Sequence, residues 1–148
     1  MYKRQRFHSA VPFRTIDDRE ALRQGIVDGV IDAICSDHAP LDSDARLAPL
    51  PATAPGLSCY PQFLSLFLAL PKILGISVED LLPTVTSSPA RILGLDPDSL
   101  QTNKMIIDPE APANFEDAAH HNPLSGVTNL SDTTGEDIEL KGAAYFFE

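Results

Sequence analysis

Asp37 and His38 stand together in Cys35-Ser-Asp-His-Ala-Pro40, directly after a short apolar run, and are the pair best placed for chemistry. A carboxylate at such a position can hold a divalent metal and can take a proton from water that the metal has made acidic. The plainer alternative is that Asp37 caps the turn by an Asx hydrogen bond and His38 is simply exposed. Taken alone, one Asp-His pair favours that alternative. His120-His121 also invites a metal reading, but adjacent side chains in an extended segment point to opposite faces, so a solvated loop is expected there. His8 has no partner at metal-ligand spacing. Cys35 and Cys59 lie in no CxxC or Cys/His cluster, which argues against a disulfide framework and a zinc knuckle. They read as two reduced thiols, and a cytoplasmic location is expected. The sequence holds no glycine-rich phosphate loop, no GxSxG elbow and no HEXXH.

The elements around Asp37 determine what it can do. Thr15-Ile-Asp-Asp18 predicts a helix N-cap with an acidic first turn, and Ala21, Leu22, Ile26 and Val27 recur at helical spacing through 14–28. Gly29 supplies the stop. Val30-Ile-Asp-Ala-Ile-Cys35 is short, β-branched and apolar, and predicts a strand buried on both sides, as in a parallel sheet. Helix, tight glycine, buried strand and a polar residue at the strand's carboxyl end together indicate an α/β fold. That sheet edge is where such folds bind ligands.

The segment from Pro40 to Gly56 carries four prolines and is expected to be a long loop, either a binding loop or a stiffened surface excursion. Helices are expected from Gln62 to Leu70, from a Ser77 cap, and from a Ser87 or Ser88 cap with Pro89 at the first position. Met105–Asp108 and Ala143–Phe147 read as strands. The residues between them read as loop.

The chain of 148 residues has a net charge of −10, and 43% of its residues are hydrophobic. Residues 1–95 carry nine basic and ten acidic side chains, whereas 96–148 carry two and eleven. The first part is therefore expected to be the folded unit, and 96–148 an acidic, weakly structured segment. This balance argues against a nucleic-acid backbone or an anionic membrane as partner. The longest apolar run, Phe63 to Leu70, is too short to span a bilayer. The length falls below the roughly 250 residues of a complete (β/α)8 barrel.

Five blocks in order carry a resemblance. Arg14-Thr-Ile-Asp-Asp-Arg-Glu-Ala-Leu22, Gly25 through Gly29, Ile31 through Pro40, Ala54-Pro-Gly-Leu-Ser58 and Ser88-Pro-Ala-Arg-Ile-Leu-Gly-Leu95 resemble the carboxyl-terminal third of the dihydroorotases. The resemblance covers about residues 11–95. It implies a metal-dependent amidohydrolase that interconverts carbamoyl aspartate and dihydroorotate in pyrimidine biosynthesis, on a distorted (β/α)8 barrel with zinc. It further implies that Ile31–Cys35 is the last barrel strand, that 96–148 is the remnant of a small β domain, and that Asp37 is metal-linked and accepts the proton. Pro55 and Gly56 would lie near substrate through backbone groups.

The departures are specific. Leu41 stands where the family has a substrate-contacting His, Ala10-Val-Pro-Phe13 replaces an Asn followed by two prolines, and Ser58-Cys-Tyr-Pro61 alters the start of the next helix. The family's His-x-His pair, carboxylated lysine and two further His ligands have no counterpart. A catalytic zinc needs about three protein ligands. The chain is thus expected to bind no zinc alone and to be inactive alone; with strand edges that a lone Ile31–Cys35 leaves unpaired, either it adds its strand to another polypeptide that supplies the remainder of the barrel or it is marginally folded and aggregation-prone. Two alternatives are a non-catalytic homologue that is a structural partner of aspartate carbamoyltransferase, and an unrelated small α/β binding module.

Overall fold

The computed structural model describes residues 8–41, 45, 47–100, 105–113 and 141–146. The order is helix α1 (Ile16–Val27), α2 (Tyr60–Leu74), α3 (Val78–Leu81), α4 (Ser87–Ile92), then strands β1 (Met105–Pro112) and β2 (Lys141–Phe146). Short 3-10 turns occupy Leu50–Ala52, Leu82–Val85 and Pro97–Leu100. Among the described residues the architecture is thus a set of helices with one two-stranded sheet, and these residues form no closed barrel.

Helix α1 begins where the sequence places it. Asp18 N donates to Thr15 Oγ1 at 3.3 Å and Thr15 N donates to the Asp18 carboxylate at 3.0 Å, closing a capping box. The hydroxyl of Thr15, donating to the same carboxylate, holds Asp18 below the usual carboxylate range. Glu20 bridges Arg19 and Arg23 at 2.9 and 3.0 Å. No residue of α1 is buried, and Leu22 on its apolar stripe is 61% exposed. Capping and ion pairs, rather than packing, hold this helix.

The expected strand Val30–Cys35 is not realised. Among the described residues it joins no ladder, and Val30 is 74% exposed. Its amides bond singly: Val30 and Ile31 to Gly25 O at 2.9 and 3.1 Å, and Ile34 to Thr84 O at 2.9 Å. A run buried on both sides needs a neighbouring strand on each edge, and the described residues supply neither.

Helix α2 starts two residues earlier and ends four later than the expected 62–70. Pro61 falls in the first turn, where no intrahelical donor is needed. Pro71 lies close enough to the end that only one ladder bond is lost. Gly75, at φ 69°, closes the helix with its amide on Pro71 O at 2.8 Å. Ser77 caps α3 as expected, accepting from Asp80 N at 3.1 Å. Helix α4 has Thr86 at its N-cap with no side-chain bond, so neither Ser87 nor Ser88 caps it. The chain enters α4 directly from the preceding 3-10 turn and needs no hydroxyl there.

The apolar core among the described residues consists of Phe67, Leu81 and Ala90, from α2, α3 and α4. Phe63 stacks on Phe67 one turn away, with ring centroids 6.4 Å apart. Both strands expected in the acidic segment form and pair antiparallel, with a register shift between Asp108 and Pro112. Strand β2 rests on α2, where Gly142, at φ 118°, leaves no room for a Cβ against Leu68. Residues 114–140, which include His120-His121, lie outside the described residues.

His38 ties the segment after Cys35 to this helical unit. It forms an isolated parallel bridge with Leu57, and Ala39 N donates to Leu57 O at 2.9 Å. Its ring Nδ1 accepts from the amides of Cys59 and Tyr60 at 3.1 and 3.0 Å, at the N-terminus of α2. The ring also meets Tyr60 edge-on at 5.6 Å. Cys59 offers no side-chain cap, so the imidazole satisfies amides that would otherwise be orphaned.

Two substitutions check this framework. His38→Ala is expected to cost about 1–2 kcal/mol in urea unfolding, with faster exchange of the Cys59 and Tyr60 amides. Gly142→Ala is expected to lower the melting temperature, because a Cβ meets Leu68 at a backbone angle that costs a non-glycine residue about 1–3 kcal/mol.

Candidate functional site

Asp37 ends the 31–35 run in a conformation that an L-residue adopts at a cost: its φ is 46°. Aspartate tolerates this left-handed region better than most residues, and such strain gathers at working sites. Its amide donates to Cys35 Sγ at 3.5 Å, and its side chain is exposed. The Asx turn considered from sequence does not appear among its bonds. His38 is half-buried and bonded, not simply exposed.

Asp37 lines a pocket of about 470 Å³. The other lining residues come from Ser9 and Val11–Arg14, from Arg19 and Leu22 on α1, from Ser36, and from Leu57 and Cys59 before α2. Three stretches distant in sequence therefore converge. Gly56 fixes two of them: its amide donates to His8 O at 2.8 Å, and a Cβ there would stand 2.6 Å from Ala39 O. His8 Nδ1 also donates to Thr53 Oγ1 at 2.8 Å, and that hydroxyl donates to Leu50 O at 2.9 Å. The amino-terminal segment is thus strapped to the proline-rich loop, which is what brings Ser9–Arg14 over Asp37.

The donor set does not make a metal centre by itself. Among the described residues no three His, Cys, Asp or Glu side chains lie together in a way that could hold a metal ion. Near Asp37, His38 has committed Nδ1 to two amides. The thiol of Cys59 is pushed up by burial and then by the Asp37 carboxylate, and it donates to Leu57 O at 3.4 Å. A protonated thiol is neither a good ligand nor a nucleophile. What the arrangement does offer is one exposed carboxylate on a cavity whose lining includes apolar side chains and the two arginines Arg14 and Arg19.

Of the residues singled out from sequence, Asp37 lines the pocket. Gly56 lies beneath Ala39, and Leu41 beside it, its Cδ1 3.3 Å from a Cβ on Gly56. Pro55 adjoins them in the chain but does not line the pocket. Sequence reasoning missed Arg14, Arg19 and Cys59 as pocket residues, and His38 as a helix cap. Arg14 could have been noticed as a lone cation before an acidic cap. No local signal pointed to the others, because long-range contacts alone assemble them. No helix among the described residues is long and apolar enough to cross a membrane.

No protein-family model matches the chain. Curated relatives do. A dihydroorotase-like protein of Pseudomonas putida is 36% identical over 109 residues, which is 71% of this chain and 26% of the relative. A dihydroorotase of Syntrophotalea carbinolica is 32% identical over 137 residues, 90% of this chain and 31% of the relative. That of Thermus aquaticus is 32% identical over 131 residues, 81% of this chain and 30% of the relative. The chain therefore spans less than one third of the length of these relatives. On this similarity the chain belongs to the dihydroorotases and dihydroorotase-like proteins, of which it is a partial region.

Proposed function

We propose that this chain is the carboxyl-terminal part of a dihydroorotase-like amidohydrolase and supplies Asp37 as the proton acceptor for opening and closing a cyclic amide. The observation that carries this reading is the placement of Asp37. It sits at the end of the 31–35 run, held at φ 46° on the rim of the pocket, where its carboxylate is reachable. Interconversion of carbamoyl aspartate and dihydroorotate moves a proton as the amide bond forms or breaks. An exposed carboxylate fixed by its backbone can take and return that proton. Pro55 and Gly56 would contribute through backbone groups. The zinc of such enzymes would need most of its ligands from outside these residues, since the described residues hold no cluster for it.

The run Val30–Cys35, which joins no strand ladder among the described residues, supports the same reading. Its backbone groups and its exposed Val30 suit a neighbouring strand, so activity is expected only when the rest of such a barrel is present. The purified chain is expected to hydrolyse no dihydroorotate. Mixed with a polypeptide covering the preceding part of a dihydroorotase relative, it is expected to do so. There Asp37→Asn should lower turnover by roughly 100- to 10,000-fold. Turnover by the chain alone, or an unaffected Asn variant, would refute the proposal.

A second reading is favoured by Leu41, whose side chain packs against Gly56 and can neither hydrogen-bond nor pair with a carboxylate. It makes the chain a non-catalytic structural partner of aspartate carbamoyltransferase. Co-elution with an aspartate carbamoyltransferase subunit on a sizing column is the expected result under this reading, and separate peaks count against it.

A further inference from the structure

We propose that α2 carries a standby pair of caps, Ser58 and Gln62, which take over its first amides when His38 withdraws, so that 36–39 is a detachable strap over the start of the helix. This device does not depend on what the Asp37 pocket binds.

Helices are ordinarily capped from within their own first turn. A hydroxyl just before the first helical residue accepts from an amide two or three positions on, and a Glu or Gln at the third helical position reaches back to the N-cap amide. The sequence of α2 holds both kinds of residue. Gln62 is the third residue of the helix. Cys59, in the N-cap position, already has right-handed helical angles, φ −114° and ψ −16°, so Ser58 stands where a capping hydroxyl is usual. Neither of them caps. Cys59 N and Tyr60 N donate instead to His38 Nδ1 at 3.1 and 3.0 Å, across 21 and 22 positions of chain. Ser58, 3% exposed, and Gln62, 0% exposed, keep Ser58 Oγ and both Gln62 amide atoms buried without a hydrogen-bond partner. An imported imidazole thus occupies the donors that two local side chains are placed to serve.

Each arrangement carries its own cost. Attached, the strap has the two His38 bonds, the bond from Ala39 N to Leu57 O at 2.9 Å, and the edge contact of His38 with Tyr60 at 5.6 Å. Against these stand two buried side chains with unpaired polar atoms and a left-handed Asp37 at φ 46°. Detached, Ser58 Oγ accepts from Tyr60 N and Gln62 Oε1 from Cys59 N, and Asp37 is free to return to an ordinary backbone angle. The helix end is never orphaned, so the strap opens without unfolding α2. Asp37 rides on this strap, and opening carries it away from Leu57 and Cys59, with which it lines the cavity.

The test is amide hydrogen exchange of the full chain under native conditions, read as protection factors. A helix cap protects its amide by roughly 3- to 30-fold, and this sets the size of each effect. Ala39 is expected to exchange through opening of the strap and to be less protected by that factor than Cys59 and Tyr60, which are handed over. In His38→Ala only the standby caps remain. Adding Ser58→Ala there should cut the protection of Tyr60 by the same factor, and adding Gln62→Met should do so for Cys59. Gln62→Met alone removes groups that have no partner while the strap is attached, so the urea midpoint should stay unchanged or rise. Urea curves for every variant separate a lost cap from lost folding. Equal protection of Ala39, Cys59 and Tyr60 in the unaltered chain overturns the proposal, because the three bonds then break together. So does either added substitution without effect in the His38→Ala chain. A lower midpoint for Gln62→Met alone also overturns it, since Gln62 would then have a partner in the attached state.

Discussion

One imidazole joins the two halves of the site. His38 Nδ1 accepts two amides at the start of α2, and a ring nitrogen that accepts cannot carry the proton, so the ring hydrogen sits on Nε2. This bond fixes more than a side chain. With the Leu57 bridge it sets the path of 38–39 against 57–60, and the chain must reach that path directly from Cys35. The turn needed is made at Asp37, which takes φ 46°. The neighbouring side chains then separate by role, His38 against the helix end and Asp37 on the cavity. The conformational cost at Asp37 is offset by the two amides satisfied next door.

The proline-rich segment is constrained from the same place. Gly56 fits under Ala39 O only because it lacks a Cβ, and its amide is bonded to His8 O. A larger residue there would push the loop away from Ala39 and release His8 from Thr53. The pocket wall formed by Ser9–Arg14 would then lose its anchor. The cavity thus depends on three contacts far apart in sequence: His38 with α2, Gly56 with Ala39, and His8 with Thr53.

That dependence explains what could be read in advance. The Thr15 box, the Ser77 cap and the Gly75 stop are local chemistry, each set by residues within one turn, and they form where the sequence places them. Met105–Asp108 and the run from Ala143 carry enough apolar alternation to be recognised as strands, though not their pairing across 114–140. Val30–Cys35 has the composition of a buried strand, but composition states a need for neighbours and cannot supply them. Asp37 was legible because it follows that run. Its pocket was not, since Arg14 and Cys59 meet it only through tertiary contacts. His38 was misjudged for a related reason: an N-cap from a residue 21 positions away leaves no mark in the helix it caps.

The same structure also carries polar groups enclosed without partners. Gln62 is fully buried with neither amide atom bonded, and Ser58 Oγ shares that condition. Each such group costs about 1–3 kcal/mol unless water or another polypeptide satisfies it. On the apolar side, Phe13, Ile16, Leu22 and Val30 are more than half exposed, while the described core holds only three apolar side chains. Exposed apolar residues also lie elsewhere, Leu47, Tyr60, Ile92 and Leu93 among them, and those on α1 and its flanks adjoin a run that joins no ladder among the described residues. Burial by a further polypeptide would serve all of these groups at once. The capping box and the Glu20 ion pairs, all within α1 and its cap, stabilise the helix itself without such burial. They do not supply strand neighbours for Val30–Cys35, which joins no ladder among the described residues.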